Sequence, residues 1–386
     1  MFYLRLVRGY RVLDLGRWLL TAAAAAVVAG FLLRALGRAL SDPPGSGTGS
    51  VDRLLWCLPP LLAVAWFAAV AARALPAQRP ERMAGLTAAG AGPARIRLLI
   101  AGETALACAL GSLVALLLFL VLRNNIAGAG LAPDLGMGTA LPLAAPVALL
   151  TLLPLAAGLA AALAVPLHDR LIGAAEPSRS RRFRPARTVT AALLALGGAL
   201  IELYGLRPAA PVDPHPVELA AGLGRTSLDL VAGWAIAALG LALLTGPLLA
   251  GAGRLLSLGR PGARRLLAGR GLATEAHRLS APLAVLAFTL AVVLTAARHW
   301  PAPGTRGVEP LPTVEALLVT GCAVAAVVAR LTEIRTTRRP AVATLLQLGA
   351  SPRLLAGAAA QRWLAGGAVL LLTGGLTAAL AAGILR

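Results

Sequence analysis

Side chains that could carry acid–base, metal or nucleophilic chemistry are few in this chain and lie far apart. The four histidines fall in separate polar segments, without the short spacings that gather several ligands around one metal ion. The three cysteines lie in apolar runs without a C-x-x-C spacing, which is typical of small buried side chains. The sequence contains no paired carboxylates or Ser/His arrangements that suggest catalysis. We therefore predict no catalytic, cofactor-binding or metal site.

Nucleotide hydrolysis can also be excluded from the sequence. A Walker A loop, G-x-x-x-x-G-K-[ST], needs its lysine to reach the nucleotide phosphates. None of the 386 residues is a lysine. The chain is therefore not expected to be an enzyme, and any ATPase that acts with it must be a separate polypeptide that binds the ATP.

Glu103 and Glu202 are the acidic residues that fall within or near apolar segments. An ionisable side chain inside the membrane is a functional candidate by default. For Glu103, an ion pair with Arg97 or Arg95 offers a structural explanation.

Glu202 has a polar neighbourhood in the sequence. Tyr204 and Arg207 follow it closely at the end of an apolar segment. We therefore favour a carboxylate that reaches the membrane interface over a functional intramembrane acid.

The composition indicates the protein class that must position these residues. The chain is 58% hydrophobic and 13% charged, too little charge to cover the surface of a soluble protein of this size. A membrane-spanning helix needs about 20 mostly apolar residues. Nine segments qualify, at residues 18–34, 54–74, 98–122, 141–167, 188–205, 229–250, 280–297, 313–329 and 363–385. We predict an all-α, polytopic membrane protein with about nine transmembrane helices.

The distribution of arginine predicts the orientation in the cell membrane. If the N-terminus is cytoplasmic, the inner segments hold 27 of the 36 basic residues and the outer segments hold 9. This asymmetry agrees with the positive-inside rule. The net charge of +20 then faces anionic lipid headgroups. Nucleic acid is a less suitable partner, because aromatic stacking residues are not interleaved with the arginines.

Two similar segments lie 259 positions apart. Gly90-Ala91-Gly92-Pro93 aligns with Gly349-Ala350-Ser351-Pro352, and the same offset aligns spans one to three with spans seven to nine. Both copies enter the membrane from the same side, so we predict a parallel internal repeat. The predicted parts are a first repeat at 1–167 with spans one to four, a linking hairpin at 168–253 with a basic cytoplasmic loop, and a second repeat at 254–386. The second repeat has no counterpart of span four.

Each segment has the signals of a short helix, a turn and a new helix. In the second copy, Gly349 suits the residue after a helix end, Ser351 suits an N-cap, and Pro352 suits the first helical position. In the first copy, Pro80 opens the short helix, Gly90 ends it, and Gly92-Pro93 start the next. We predict short cytoplasmic helices near 80–91 and 339–352. An ordinary interfacial helix bordered by arginines is the structural alternative.

These segments resemble a known family. RPERMAGLTAAGAGPARIRLLIAGE at 79–103 and RRPAVATLLQLGASPRLLAGAAAQRW at 338–363 are similar to the cytoplasmic signature of FtsX-like (MacB-type) ABC transporter permeases. That signature has basic residues, a short apolar helix, Gly-Ala-Ser, a basic stretch and an early acid in the next span. The first copy keeps the acid as Glu103, whereas the second carries Arg362 there. The resemblance covers about half of the chain.

The resemblance implies that the short helices are coupling helices, which dock into a groove of a cytoplasmic ABC ATPase. It further implies two ATPase copies and a second permease chain, identical or related. The short outer loops favour export of a small amphiphile over the relay of force across the membrane. The implied contact residues are Arg79, Glu81, Arg82, Met83, Leu86, Gly90, Arg338, Arg339, Leu345, Leu346 and Gly349. Arg95, Arg97 and Arg353 could equally be lipid-facing anchors.

Two other functions remain open on the sequence. An ion-driven secondary transporter would need charged or unwound segments near the middle of the bilayer. The spans offer only the prolines of span four for that role. A membrane scaffold without energy coupling would leave the duplicated segment unexplained.

Overall fold

A computed structural model describes nine stretches of the chain. These are residues 12–41, 57–78, 80–126, 144–165, 184–207, 217–218, 225–259, 262–299 and 310–384. Packing divides the chain into two compact units. The first unit comprises Met1–Ala174 with Leu317–Ala329, and the second comprises Ala175–Ala316 with Arg330–Arg386.

Helices make up nearly all of the described residues in both units. The first unit contains α1 (Val12–Ser41), α2 (Leu58–Gln78), α3 (Pro80–Ala88), α4 (Pro93–Val121), a π-helical turn (Leu122–Ile126) and α5 (Ala144–Ala164). The remaining helices are α6 (Pro185–Gly205), α7 (Leu228–Leu256), α8 (Ala263–His299), α9 (Pro310–Gln347) and α10 (Pro352–Ile384). Two-residue strands, β1 (Val217–Glu218) and β2 (Arg225–Thr226), pair antiparallel between α6 and α7.

The helix lengths fit a membrane protein. Nine helices within the described ranges are long and apolar enough to cross a membrane, which confirms the predicted all-helical, polytopic class. A crossing needs about 20 residues, because a helix rises about 1.5 Å per residue through a core about 30 Å thick. α8 has 37 residues, α9 has 38 and α10 has 33. α8 begins at Ala263 and α10 at Pro352, so both helices extend beyond the predicted spans 280–297 and 363–385.

In the first unit, α4 packs against α1 and α5, and α5 also packs against α2. Small and medium apolar side chains fill the core between these helices, among them Ala25, Val28 and Val64. At Gly111, α4 comes so close to α1 that a methyl group would collide with the carbonyl oxygen of Ala22. Such backbone contacts stabilise helix pairs in lipid, where small residues replace the hydrophobic effect as the source of packing.

In the second unit, α7 has the central place, because it packs against α6, α8 and α10. The contact between α6 and α7 depends on glycine in both helices. A Cβ on Gly198 would collide with the backbone of Ala237 and would lie 2.6 Å from the carbonyl oxygen of Gly233. Buried hydroxyl groups bond within their own helix; for example, Thr245 donates to the carbonyl of Leu241 at 3.1 Å. The bundle therefore combines close backbone packing with buried hydroxyl groups that bond within their own helix.

α9 differs from the sequence prediction of a separate short helix near 339–352. The structure has one continuous helix that runs from the eighth span through Pro340 to Gln347. The segment 341–347 contains no glycine and is rich in alanine and leucine, which favour helix continuation. Only the break after it, at Gly349, lies where we predicted it.

Replacement of Gly198 by alanine tests the glycine contact between α6 and α7. The added methyl group meets backbone atoms of α7, which cannot move aside as a flexible side chain can. We expect Gly198→Ala to lower stability by about 1–3 kcal/mol, as overpacking does. The measurement is thermal unfolding of the purified protein in detergent, followed by circular dichroism.

The matched control is the neighbouring Gly197, whose added methyl group would have no atom within 4 Å. Gly197→Ala should keep or slightly raise the unfolding temperature, because alanine favours the helix. Equal destabilisation by both changes would contradict the proposed role of the close contact.

Candidate functional site

Each unit has a candidate site at a turn, which we call the first turn (Leu86–Pro93, in the first unit) and the second turn (Leu345–Pro352, in the second unit). In the first turn, Gly90 has a φ of +76°, a left-handed conformation that glycine adopts without strain. The N–H of Gly90 donates to the carbonyl of Thr87 at 2.9 Å, and the N–H of Ala91 donates to that of Leu86 at 2.9 Å. This pair of bonds is a Schellman motif, which ends α3.

The second turn repeats this pattern residue by residue. Gly349 has a φ of +89°. Its N–H donates to the carbonyl of Leu346 at 3.0 Å, and the N–H of Ala350 donates to that of Leu345 at 2.9 Å. The four bonded residues correspond to those of the first turn at the offset of 259. The two helix ends are therefore capped by the same pattern of hydrogen bonds.

A new helix starts directly after each turn, as the sequence predicts. α4 begins at Pro93 with Gly92 at its N-cap. α10 begins at Pro352, and the Ser351 hydroxyl accepts a hydrogen bond from the N–H of Leu354 at 3.3 Å. Proline has no backbone N–H, so at the first position of a helix it leaves no donor without a partner.

Both turns are accessible at their tips. Ala84, Ala88 and Gly90 are exposed around the first turn. In the second, Leu346 and Arg339 are exposed, and Leu348 is 78% exposed. Each turn thus presents a small, mostly apolar surface at the junction of two helices.

Apolar packing holds the first turn in place. Met83 is only 3% exposed and lies in a core cluster with Ile96, Ile100 and Val165. Leu86 is partly buried and packs against the same cluster. The expected place of Met83 on the contact surface was wrong, because its side chain faces inward and anchors α3 to α4.

A buried ion pair also connects α3 with α4. Arg82 donates from Nη1 to Oε2 of Glu103 at 3.0 Å, and both side chains are largely buried. The expected pairing of Glu103 with Arg97 or Arg95 was wrong. Arg97 donates instead to the carbonyl of Val165, at 3.0 Å from Nε and 2.7 Å from Nη2, and Arg95 is exposed. Arg97 therefore bonds the carbonyl of the residue that directly follows α5, and carbonyl groups at a helix end need such donors.

The second turn is attached by a different set of charges. Arg338 of α9 forms an ion pair with Glu275 of α8. Arg362 of α10, at the position that aligns with Glu103, also lies near enough for its charge to act on Glu275. Leu345 is half-buried behind the turn. At the second turn, α8 therefore supplies the acidic residue Glu275, and α10, which follows the turn, supplies the basic residue Arg362.

Sequence reasoning missed Glu275, although a signal was present. It is the only acidic residue between Asp229 and Glu309, in a stretch with eight arginines. Of the other predicted contact residues, Arg79 lies outside the described residues, and Glu81 lies in α3. Within the described part, no group of three or more His, Cys, Asp or Glu side chains could hold a metal ion.

Glu202 has a different environment from the one predicted. It is 2% exposed, and its Oε2 accepts no hydrogen bond from the described residues. A Cβ on Gly383 of α10 would lie 2.8 Å from its Oε1. Arg207 lies over the ring of Tyr204, 5.1 Å from its centroid, and so stacks on the neighbour of the acid. The side chain is thus buried beside α10 within the second unit, and its level at the membrane interface stays a prediction.

A double-mutant cycle measures the strength of the Arg82–Glu103 pair. Arg82→Ala removes an ion-pair partner of the buried Glu103 and should cost about 3–5 kcal/mol of stability. Arg82→Ala with Glu103→Ala should cost less than the sum of the two single changes, because both changes remove the same ion pair. Thermal unfolding in detergent gives each value. Arg95→Ala, at an exposed arginine near the start of α4, should change stability by less than about 0.5 kcal/mol. Additive single effects would contradict the pair.

Comparison of the chain with protein-family models, with curated proteins and with solved structures finds no match. The functional interpretation of the two turns therefore rests on their own geometry and on the resemblance of their sequences.

Proposed function

We propose that this chain is the membrane-spanning permease subunit of an ABC transporter of the FtsX-like class. The observation that carries the proposal is the pair of identical Schellman turns, 259 residues apart, each followed by a proline that starts a membrane helix. A coupling element must offer a surface to its partner and pass force to a span without bending. Both turns combine an exposed tip with a direct connection to a long helix.

The ion pairs support this mechanical role. A short helix that only rested on the membrane surface would have no need of a buried salt bridge to the next span. Arg82–Glu103 fastens α3 to α4, and Arg338–Glu275 fastens the end of α9 to α8. Removing one member of such a pair is costly, so each pair resists separation of the helices that it joins. Movement imposed on either turn would therefore reach the spans.

Helix packing within each unit supports the parallel repeat. In the first unit α1 packs along α4, and in the second unit α8 packs along α10. The offset of 259 that aligns the turns places residues 12–41 on 271–300 and 93–121 on 352–380. Equivalent helices therefore pack as equivalent pairs, as a repeat related by an axis along the membrane normal requires.

The partners follow from the same proposal. A chain without lysine has no Walker A loop, so two copies of a separate cytoplasmic ABC ATPase supply the nucleotide chemistry. A second permease chain, identical or related, completes the complex in the cell membrane, with the N-terminus on the cytoplasmic side. Export of a small amphiphile fits the short outer loops better than force relay does.

Co-expression and co-purification with a candidate ABC ATPase from the same organism test the proposal. We expect Leu346→Glu with Leu348→Glu to abolish capture of the ATPase in mild detergent, because the charges face the docking surface. These side chains are exposed, so the change should spare the fold. For the first turn, Ala84→Glu at an exposed site should have the same effect.

The chain offers a matched control for this experiment. Leu258 is 62% exposed and precedes Gly259, which has a φ of +76°, at the turn between α7 and α8. Leu258→Glu adds the same charge next to another left-handed glycine and should leave capture unchanged. Loss of the ATPase from Leu258→Glu as well, or capture by all variants, would contradict docking at the two turns.

The buried Glu202 favours a second candidate, an ion-driven secondary transporter. Burying a carboxyl group without a hydrogen-bond partner is costly, so such groups in membrane spans commonly belong to an ion pathway. In proteoliposomes without an ATPase, this candidate predicts that a pH gradient moves the cationic dye ethidium and that Glu202→Gln abolishes the movement. Glu315→Gln, at a half-buried acid on α9, is the control. Absence of gradient-driven movement in the native chain would rule this candidate out.

A further inference from the structure

Arginines converge at one end of the second unit, where α8 and α10 begin and α9 ends. Arg278 on α8, Arg338 on α9 and Arg362 on α10 surround Glu275, and we call these four residues the basic cluster. Arg338 pairs with Glu275 directly, and the charges of Arg362 and Arg278 act on the same carboxylate. Three cations therefore share one anion.

The arginines come together at a glycine. Nη1 of Arg362 and Nη2 of Arg338 lie 2.8 Å and 2.9 Å from the point that a Cβ on Gly271 would occupy. The two nitrogens are thus no farther apart than the sum of these distances. Snorkelling arginines would point separately to the surface, whereas these two enter the same gap between helices.

Among the described residues, Glu275 is the one acid that forms an ion pair within the basic cluster. Glu333, the next acid along α9, bonds to Arg330 at 2.5 Å. Like charges held this close repel each other, and one carboxylate offsets only one of them. The side chain of Arg338 is 26% exposed, so the cluster is open to a ligand. An added anion would therefore be bound by charge-assisted hydrogen bonds.

The depth of the cluster indicates which anion. Trp363 directly follows Arg362 and is 61% exposed, and Leu364 beside it is also exposed. Trp363 opens the predicted span 363–385, and tryptophan at the end of a span is typical of the level of the lipid headgroups. A lipid bound here would place its phosphate at the arginines and its acyl chains along the apolar surface of α10.

We propose that the basic cluster binds the headgroup of an anionic phospholipid. Basic pockets between transmembrane helices on the cytoplasmic side suit such headgroups. The site goes beyond the transporter function and needs no ATPase for its occupancy. Binding of lipid and docking of the ATPase can therefore fail independently.

Native mass spectrometry of the purified, delipidated full-length chain tests the site. Phosphatidylglycerol is titrated in, with phosphatidylcholine and soluble glycerol 3-phosphate as comparison probes. We expect Arg362→Gln to weaken phosphatidylglycerol binding at least about tenfold, because it removes a charged donor to the phosphate. Arg265→Gln removes the same charge from an exposed position on α8 and should leave binding unchanged.

Glu275→Gln separates an anion site from a purely structural ion pair. Loss of the one carboxylate should keep or strengthen phosphatidylglycerol binding, since the ligand and Glu275 compete for the same arginines. A structural role would instead make Glu275→Gln as harmful as Arg362→Gln. If Arg362→Gln does not fold, Gly271→Val displaces both guanidinium groups and should weaken binding equally.

Four results would overturn the proposal. The first is an equal loss from Arg265→Gln and Arg362→Gln, which would indicate diffuse attraction to positive charge. The second is equal affinity for phosphatidylcholine, and the third is equal affinity for glycerol 3-phosphate, which would assign the cluster to a soluble phosphate. The fourth is the loss of binding in Glu275→Gln.

Discussion

In a membrane, every backbone N–H and C=O must find its partner within the protein, and this constraint decides where the chain can turn. A helix that ends leaves carbonyl groups without partners. Gly90 and Gly349 adopt a left-handed conformation at two such ends. The N–H of each glycine and that of the next residue donate to carbonyl groups in the last turn of the helix. Pro93 and Pro352 then start the next helix without an orphan N–H. The sharp junctions of the molecule depend on these four residues.

Close packing and buried charge connect the helices between such junctions. Lipid provides no hydrophobic driving force between helices, so α6 and α7 approach through glycines such as Gly198. Charges occur where spans end, and the Arg82–Glu103 pair connects a short helix to a long one. The turns therefore join two helices without a flexible linker, and the ion pairs beside the turns attach those helices to specific neighbours.

Features that depend on neighbouring residues could be predicted from the sequence, whereas tertiary contacts could not. Apolar length predicts the spans, and the Gly-Pro spacing predicts both turns, because each signal is local. The partner of Glu103 depends on how α3 folds back on α4, and sequence distance wrongly favoured Arg97. The burial of Glu202 could not be predicted for the same reason, since the glycine at 383 that lies beside it is 181 residues away. The continuity of α9 through Pro340 shows that one proline does not end a helix with strong helix formers after it.

The two turns have the same backbone hydrogen bonds but different charged residues around them. Under the offset of 259, Glu103 aligns with Arg362, so the second copy carries a base where the first carries an acid. Glu275 compensates for this reversal from α8, which explains a lone acid in a stretch rich in arginine. One carboxylate balances one arginine at the first turn, but it faces several at the second. A partner that docks on either turn would therefore meet the same backbone conformation with different charges around it.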